Sequence, residues 1–286
     1  MAAATGERLD AHHHVWDLSV RPQDWIPDEK TLLRRDFSFA EFRAGAARSG
    51  VSASIVVQTV DDLAETPELL SLAAQEETVA GVVGWLDLES PQVADDLARH
   101  LSHAGARKLV GIRDLAQYKE EPQWLARPDV LEALRVVGQH DLAFDLLVVP
   151  DQLPAATAAV RACPELVFVL DHLAKPPIAS GEVRIWAEQV RALAALPNVA
   201  CKVSGMVTEA DWATWKVADL QPYVDVLLDA FGPQRLMFGS DWPVCLVAAS
   251  YERVVEAGAA LFAGLSSDEQ ADLWCRTARR WYRLQD

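Results

Sequence analysis

Short apolar runs alternate with longer amphipathic segments along this chain, and the pair recurs eight times. No other feature constrains the fold as strongly, because strand and helix in steady alternation build a parallel sheet covered by helices. The short runs at 9–15, 54–59, 81–86, 108–113, 143–148, 167–171, 199–203 and 236–239 are mostly β-branched or leucine-rich and are expected to be strands. Helices are expected at 39–48, 67–77, 92–103, 129–140, 155–162, 183–195, 222–230 and 251–262. Ser38 and Glu41 have capping-box spacing at the first of these, and Gly50 can close it. The tail at 267–284 reads as one or two further helices, with Ser267 and Gln270 again in capping-box spacing. Eight βα units in 286 residues predict one (β/α)8 TIM-barrel domain over 1–286, somewhat longer than the roughly 250 residues typical of that fold. Two long connections, 17–38 and 116–127, are rich in Trp, Pro and charge and are expected to be loops over one end of the barrel.

A formal net charge of −16, with no basic cluster to offset it, argues against nucleic acid or an anionic membrane surface as partner. Cys163, Cys201, Cys245 and Cys275 lie far apart without CxxC pairing and read as reduced, mostly buried thiols. Residues 1–8 lack the apolar core of a signal peptide, and no stretch reaches the roughly 18 uninterrupted apolar residues of a membrane span. A cytoplasmic protein is the expectation.

Chemistry concentrates at strand ends. In the run Leu9-Asp10-Ala11-His12-His13-His14-Val15-Trp16, strand alternation places His12 and His14 on one side. Two imidazoles so close suit a divalent cation or a polarised carbonyl; a tag remnant is the bland alternative for three adjacent histidines. Asp171-His172 ends the sixth strand and Ser240-Asp241-Trp242 the eighth, and barrel closure makes the first and eighth strands neighbours. Catalytic residues of barrels sit at this carboxyl-end face. His12, His14, His172 and Asp241 therefore form a reasonable ligand set for one zinc or manganese ion. Taken singly, Asp171 or Asp241 could cap the next segment, and His172 could be a satisfied core histidine.

At these residues the chain resembles the amidohydrolase superfamily, in particular its second family and the L-fuconolactonase-like and L-rhamnonolactonase-like sugar-lactonase branch. The matching stretches are Asp10-Ala11-His12-His13-His14-Val15-Trp16, Gly111-Ile112-Arg113, Phe144-Asp145-Leu146-Leu147, Leu170-Asp171-His172-Leu173-Ala174-Lys175-Pro176, Pro197-Asn198-Val199-Ala200-Cys201-Lys202-Val203-Ser204-Gly205 and Phe238-Gly239-Ser240-Asp241-Trp242-Pro243. The resemblance implies a distorted barrel that opens a sugar lactone to its hydroxy acid, with the reactive centre at His12, His14, His172 and Asp241. Many binuclear members carry a carbamylated lysine on the fourth strand. Arg113 stands at that position here, which argues for at most one ion, with zinc expected from the ligand type and metal-independent catalysis as the other reading.

The mechanism expected from this set has Asp241 as general base for the attacking water and His172, or an ion on His12 and His14, polarising the carbonyl. Arg113 is expected to bind substrate oxygens, or else to form an ion pair with Asp114 or Asp145. Lys175 and Lys202 are candidates for hydroxyl or product-carboxylate contacts, with solvated or barrel-lining charge as the alternative. Of ten tryptophans, Trp16, Trp85 and Trp242 fall at strand ends where an indole can stack on a sugar face, with packing as the competing role. Cys245 reads as a packed thiol. A pyrone dicarboxylate would ask for several arginines at the mouth, where only Arg113 and Arg127 offer themselves. A nonoxidative decarboxylase shares the histidine and aspartate pattern, and a silent barrel acting as a scaffold is the non-enzymatic alternative.

Overall fold

Eight strands pair in parallel, each with its successor in the chain: β1 (Leu9–His13), β2 (Ala53–Val57), β3 (Val79–Gly84), β4 (Leu109–Asp114), β5 (Ala143–Leu146), β6 (Val167–Leu170), β7 (Val199–Val203) and β8 (Leu236–Phe238). The circle closes where the His14 N–H donates to the Trp242 carbonyl at 2.7 Å and the Asp241 N–H to the His12 carbonyl at 2.8 Å. This computed structural model describes residues 6–284; residues 1–5, part of the opening segment read above for leader character, and 285–286 lie outside the described residues. The major helices α1 (Phe39–Arg48), α2 (Glu65–Gln75), α3 (Val93–Leu101), α4 (Pro128–Gly138), α5 (Leu153–Ala162), α6 (Arg184–Ala194), α7 (Val217–Phe231) and α8 (Tyr251–Leu261) alternate with the strands, giving one (β/α)8 barrel. Among the described residues, no helix is long and apolar enough to cross a membrane.

Each strand sorts its side chains between two apolar layers. Val56, Val82, Ile112 and Phe144 face outward into the layer shared with the helices. Ile55, Val57, Val83 and Val169 point to the barrel axis, where Cys275, Ala278 and Tyr282 of the tail join them. The tail, with α9 (Ser267–Ala271) and α10 (Thr277–Trp281) flanking a π-turn at Asp272–Arg276, thus plugs the end opposite the site.

β1 departs from simple alternation in a way that makes the site. Leu9 and Ala11 lie in the axial cluster, so strict period two would send His13 inward next. The β1–β2 register instead runs Asp10↔Ser54 and His13↔Val56, three steps on β1 against two on β2. This one-residue bulge resets the faces. His12 and His14 consequently turn to the mouth, while His13 stacks on Phe42 at a 3.7 Å centroid distance and meets Ser54 Oγ.

Helix ends follow local chemistry more than periodicity. Ser38 caps α1 through the Glu41 N–H. The capping box of the tail forms between Ser266 and Glu269, one residue before the expected pair, because the Glu269 carboxylate can accept from both the Ser266 N–H and hydroxyl. α7 begins at Val217 rather than at Pro222, since Asp219 accepts the Lys216 N–H at 2.8 Å and starts the helix a turn and more earlier.

Candidate active site

The carboxyl ends of β1, β6 and β8 deliver the expected side chains to one point. His12 and His14 approach through Nε2 at 3.2 Å. Asp241 Oδ1 lies 3.9 Å from His12 Nε2, 3.5 Å from His14 Nε2 and 3.8 Å from His172 Nε2. Three imidazole nitrogens therefore surround one carboxylate oxygen, and all four residues are buried beneath or along a cleft.

The backbone there is unusual. His172, Leu173, Ala174, Lys175 and Asp241 all have positive φ, a conformation that L-residues hold only when their surroundings impose it. Two glycines make room. A Cβ on Gly205 (φ +63°) would come within 2.7 Å of His172 Nδ1, and one on Gly239 within 2.8 Å of the His12 Cβ.

The far ring nitrogens are tied to the scaffold. His14 Nδ1 lies 2.8 Å from the Val57 carbonyl, which can only accept, so Nδ1 carries the proton and Nε2 faces the centre as a lone pair. His172 Nδ1 meets Ser204 Oγ at 2.8 Å. His12 Nδ1 sits between Asp171 Oδ1 at 3.3 Å and Lys202 Nζ at 3.1 Å.

Electrostatics favour neutral rings beside an ionised acid. Burial depresses His12 well below the usual imidazole range, against the pull of Asp171, and it takes His172 down to about 4 despite Asp241 and Asp171. Burial alone would raise the Asp241 carboxyl, but the His172, His14 and His12 rings around it together hold it well below the ordinary carboxylate range.

Donor chemistry and spacing both fit a cation. With zinc–nitrogen bonds near 2.0–2.1 Å, ligand atoms at tetrahedral corners stand about 3.3 Å apart, close to the 3.2–3.9 Å separations found here. His12, His14 and Asp241 form one ligand-competent group, and His12, Asp171 and His172 a second. In the second, Asp171 is already flanked by Arg113 Nη1 at 3.1 Å and Lys202 Nζ at 3.0 Å.

The remaining expected residues divide between the cleft and the scaffold. Arg113 lines the cleft, but its ion pair is with Asp171, not Asp114 or Asp145, and Gln58 takes its Nη2. Lys202 is wholly buried between Asp145 and Asp171 and is a barrel-lining charge. Lys175 does line the cleft, paired with Glu209 at 3.3 Å. The three tryptophans expected to stack on substrate are absent from its lining. Trp16 donates to the Arg35 carbonyl and packs edge-on against Trp25 and Phe37; Trp242 packs on Phe37 and Phe42; Trp85, the residue after β3, is buried. Arg127 is held on the surface by Glu89 and Asp129. Cys245 is buried and free.

The cleft walls come instead from Trp25, Lys30, Gln117 and Tyr118. Those residues belong to the two long connections, whose composition marked them as loops without indicating which side chains turn inward.

The described residues thus form an eightfold barrel with an HxH pair, a sixth-strand histidine and an eighth-strand aspartate at its mouth. The chain belongs to the amidohydrolase family, whose sequence pattern matches residues 9–284. It is 41% identical over 244 residues to an L-fucono-1,5-lactonase of Burkholderia ambifaria, covering 85% of this chain and 83% of that one. An L-fucono-1,5-lactonase of Burkholderia multivorans is 40% identical, with 98% and 97% covered. A crystal structure of a Burkholderia multivorans amidohydrolase with bound Zn superposes with a TM-score of 0.92 at 37% identity, over 98% of this chain and 100% of that one.

Proposed function

We propose that the protein is a lactonase that opens a sugar 1,5-lactone, with L-fucono-1,5-lactone the first substrate to assay. The observation that carries this reading is the convergence of three imidazole Nε2 atoms on Asp241 Oδ1 at the cleft floor. The two lactonases near 40% identity supply the substrate class.

We infer one divalent ion, with zinc the best match to three imidazoles and a carboxylate, held by His12, His14, His172 and Asp241. When bound, such an ion supplies Lewis-acid polarisation of the lactone carbonyl. A second ion on Asp171 is disfavoured by the fixed charges of Arg113 and Lys202 beside it.

The chain's own residues then account for the proton transfers. Asp241, ionised at neutral pH, takes a proton from the water that attacks the carbonyl carbon. The new C–O bond forms as the carbonyl π pair moves onto oxygen. On collapse the ring C–O bond breaks, and the departing oxygen takes the proton back from Asp241, leaving a hydroxy acid. His172 is held in place by Ser204 and borders the same point. Arg113 directs Nη1 at Asp171 and His12 Nε2 and Nη2 at Gln58, and keeps Nε as its one unpartnered donor.

The cleft suits a neutral polyol ring better than a dianion. Arg113 and Lys175 already hold carboxylates, which leaves Lys30 as a lining cation with no ion-pair partner among the described residues. Trp25 and Tyr118 offer the apolar faces for a sugar's C–H surface. Four free cysteines, all buried, suit a reducing cytoplasm, where we place the enzyme. The test is proton release from a panel of aldonolactones, followed with a pH indicator: L-fucono-1,5-lactone should be hydrolysed, and inactivity on every lactone would reject the reading.

A further inference from the structure

Beneath the site, an unbroken polar chain joins the C-terminal plug to the first histidine. The Tyr282 hydroxyl donates to Asp145 Oδ1 at 2.6 Å, and Lys202 Nζ donates to Asp145 Oδ2 at 2.5 Å. The same ammonium lies 3.0 Å from Asp171 Oδ1 and 3.1 Å from His12 Nδ1. Tyr282, Asp145, Lys202, Asp171 and His12 are all buried within the barrel. Asp145 is thus gripped at both oxygens, one by the tail and one by β7.

His12 Nδ1 has two neighbours with opposite demands. Lys202 can only donate to it, and Asp171, as a carboxylate, can only accept from it. If Lys202 donates, the ring proton moves to Nε2, toward His14 Nε2 at 3.2 Å and toward Arg113 Nη1, itself only a donor, at 3.3 Å, so the ring offers no lone pair to the centre. If Asp171 accepts, Nδ1 holds the proton and Nε2 is bare. The imidazole tautomer is set by the bond its other nitrogen makes. Asp145 takes one of the ammonium's three N–H groups at the shortest distance of the set and draws it toward the plug.

We propose that Tyr282 is a positioning residue that acts at a distance: by fixing Asp145, it restrains Lys202 and so holds His12 in the Nδ1–H tautomer that the reaction centre requires. The barrel's closing helix, at the far end from substrate, thereby takes part in assembling the site. This rests on the single-ion reading above only where metal affinity is concerned; the tautomer is a property of the metal-free protein.

The experiment compares wild type, Tyr282→Phe and Leu284→Ala, the last removing apolar contact from the same plug without touching the polar chain. Imidazole tautomers are read by 15N NMR on metal-free, histidine-labelled protein, and zinc affinity by competition with a chelator. Wild type and Leu284→Ala should show His12 as Nδ1–H. Tyr282→Phe should shift His12 toward Nε2–H and weaken zinc about 10-fold, the lower end for an outer-shell contact to a ligating histidine. Its kcat should fall while KM stays, since no cleft residue changes. Asp145→Asn, which keeps the shape and weakens the hold on Lys202, should shift the tautomer in the same direction. An unchanged His12 tautomer in folded Tyr282→Phe would overturn the proposal. Absence of zinc binding in wild type would count against the metal reading alone.

Discussion

Replacing Asp241 by Asn tests the proton path. The amide keeps the side chain's shape but removes the charge that three imidazoles surround at 3.5–3.9 Å, and it cannot accept a proton from water. General-base catalysis is worth about 10²–10⁴-fold, or roughly 3–5 kcal/mol of barrier at 1.36 kcal/mol per decade. The carboxylate is also one of four proposed ligands, so the loss in kcat should lie at or beyond the upper end of that range, with zinc bound more weakly. Stability at neutral pH should fall as well, because a carboxyl held below its ordinary range is favoured as the anion in the folded protein and the amide loses that contribution. The assay is initial proton release from L-fucono-1,5-lactone, alongside urea unfolding of the same preparations. A folded Asp241→Asn enzyme within about 10-fold of wild-type kcat would refute the base assignment, since the smallest effect expected of this role is about 10²-fold.

Other substitutions probe the scaffold. Gly205→Ala should cost about 1–2 kcal/mol for a left-handed residue and displace His172, whose Nδ1 would lie 2.7 Å from the new Cβ; both Tm and kcat should fall, and a variant with lowered Tm but unaltered kcat would contradict the close approach. Asp114 is pushed up to about 7 by burial, against the pull of Lys119 and with Asp61 adding to the rise. Its folded form therefore keeps a proton that the unfolded chain loses near pH 4, so stability drops as pH rises from about 4 to 7. Asp114→Asn should remove that loss and stabilise the protein by a few kcal/mol at pH 8 with little change at pH 4, and equal gains at both pH values in denaturant titrations would contradict the sign. Trp85→Phe should lower Tm while leaving KM for the lactone unchanged, because the indole is buried away from the cleft; a several-fold rise in KM would return Trp85 to the substrate.

The parts of this architecture that were legible in the sequence are those with a short physical period or a local rule. β7 spans 199–203 as expected, and α1 begins at its Ser38 cap, because strand burial and side-chain capping act within a few residues. The meeting of His12 with Asp241 followed from barrel closure alone. Alternation did foretell that His12 and His14 share a side, yet the side they face depends on a bulge in β1 that only pairing with β2 reveals. Trp16, Trp85 and Trp242 misled because a position at a strand end does not fix a side chain's direction, and Phe37 and Phe42 offered nearby aromatic surface to two of them. Lys30 and Tyr118 line the cleft from long loops without periodicity. Tyr282 gave no signal at all, since its partner Asp145 is 137 residues away in sequence.

The most direct test of the central claim couples composition to turnover in one preparation. Protein purified without added metal is analysed for its metal content and assayed on L-fucono-1,5-lactone before and after chelation, then after titration with Zn²⁺. The account predicts one equivalent of divalent ion per chain, loss of lactonase activity on its removal, and recovery that saturates at one added equivalent. Full activity in demonstrably metal-free protein, or saturation only at two equivalents, would contradict it.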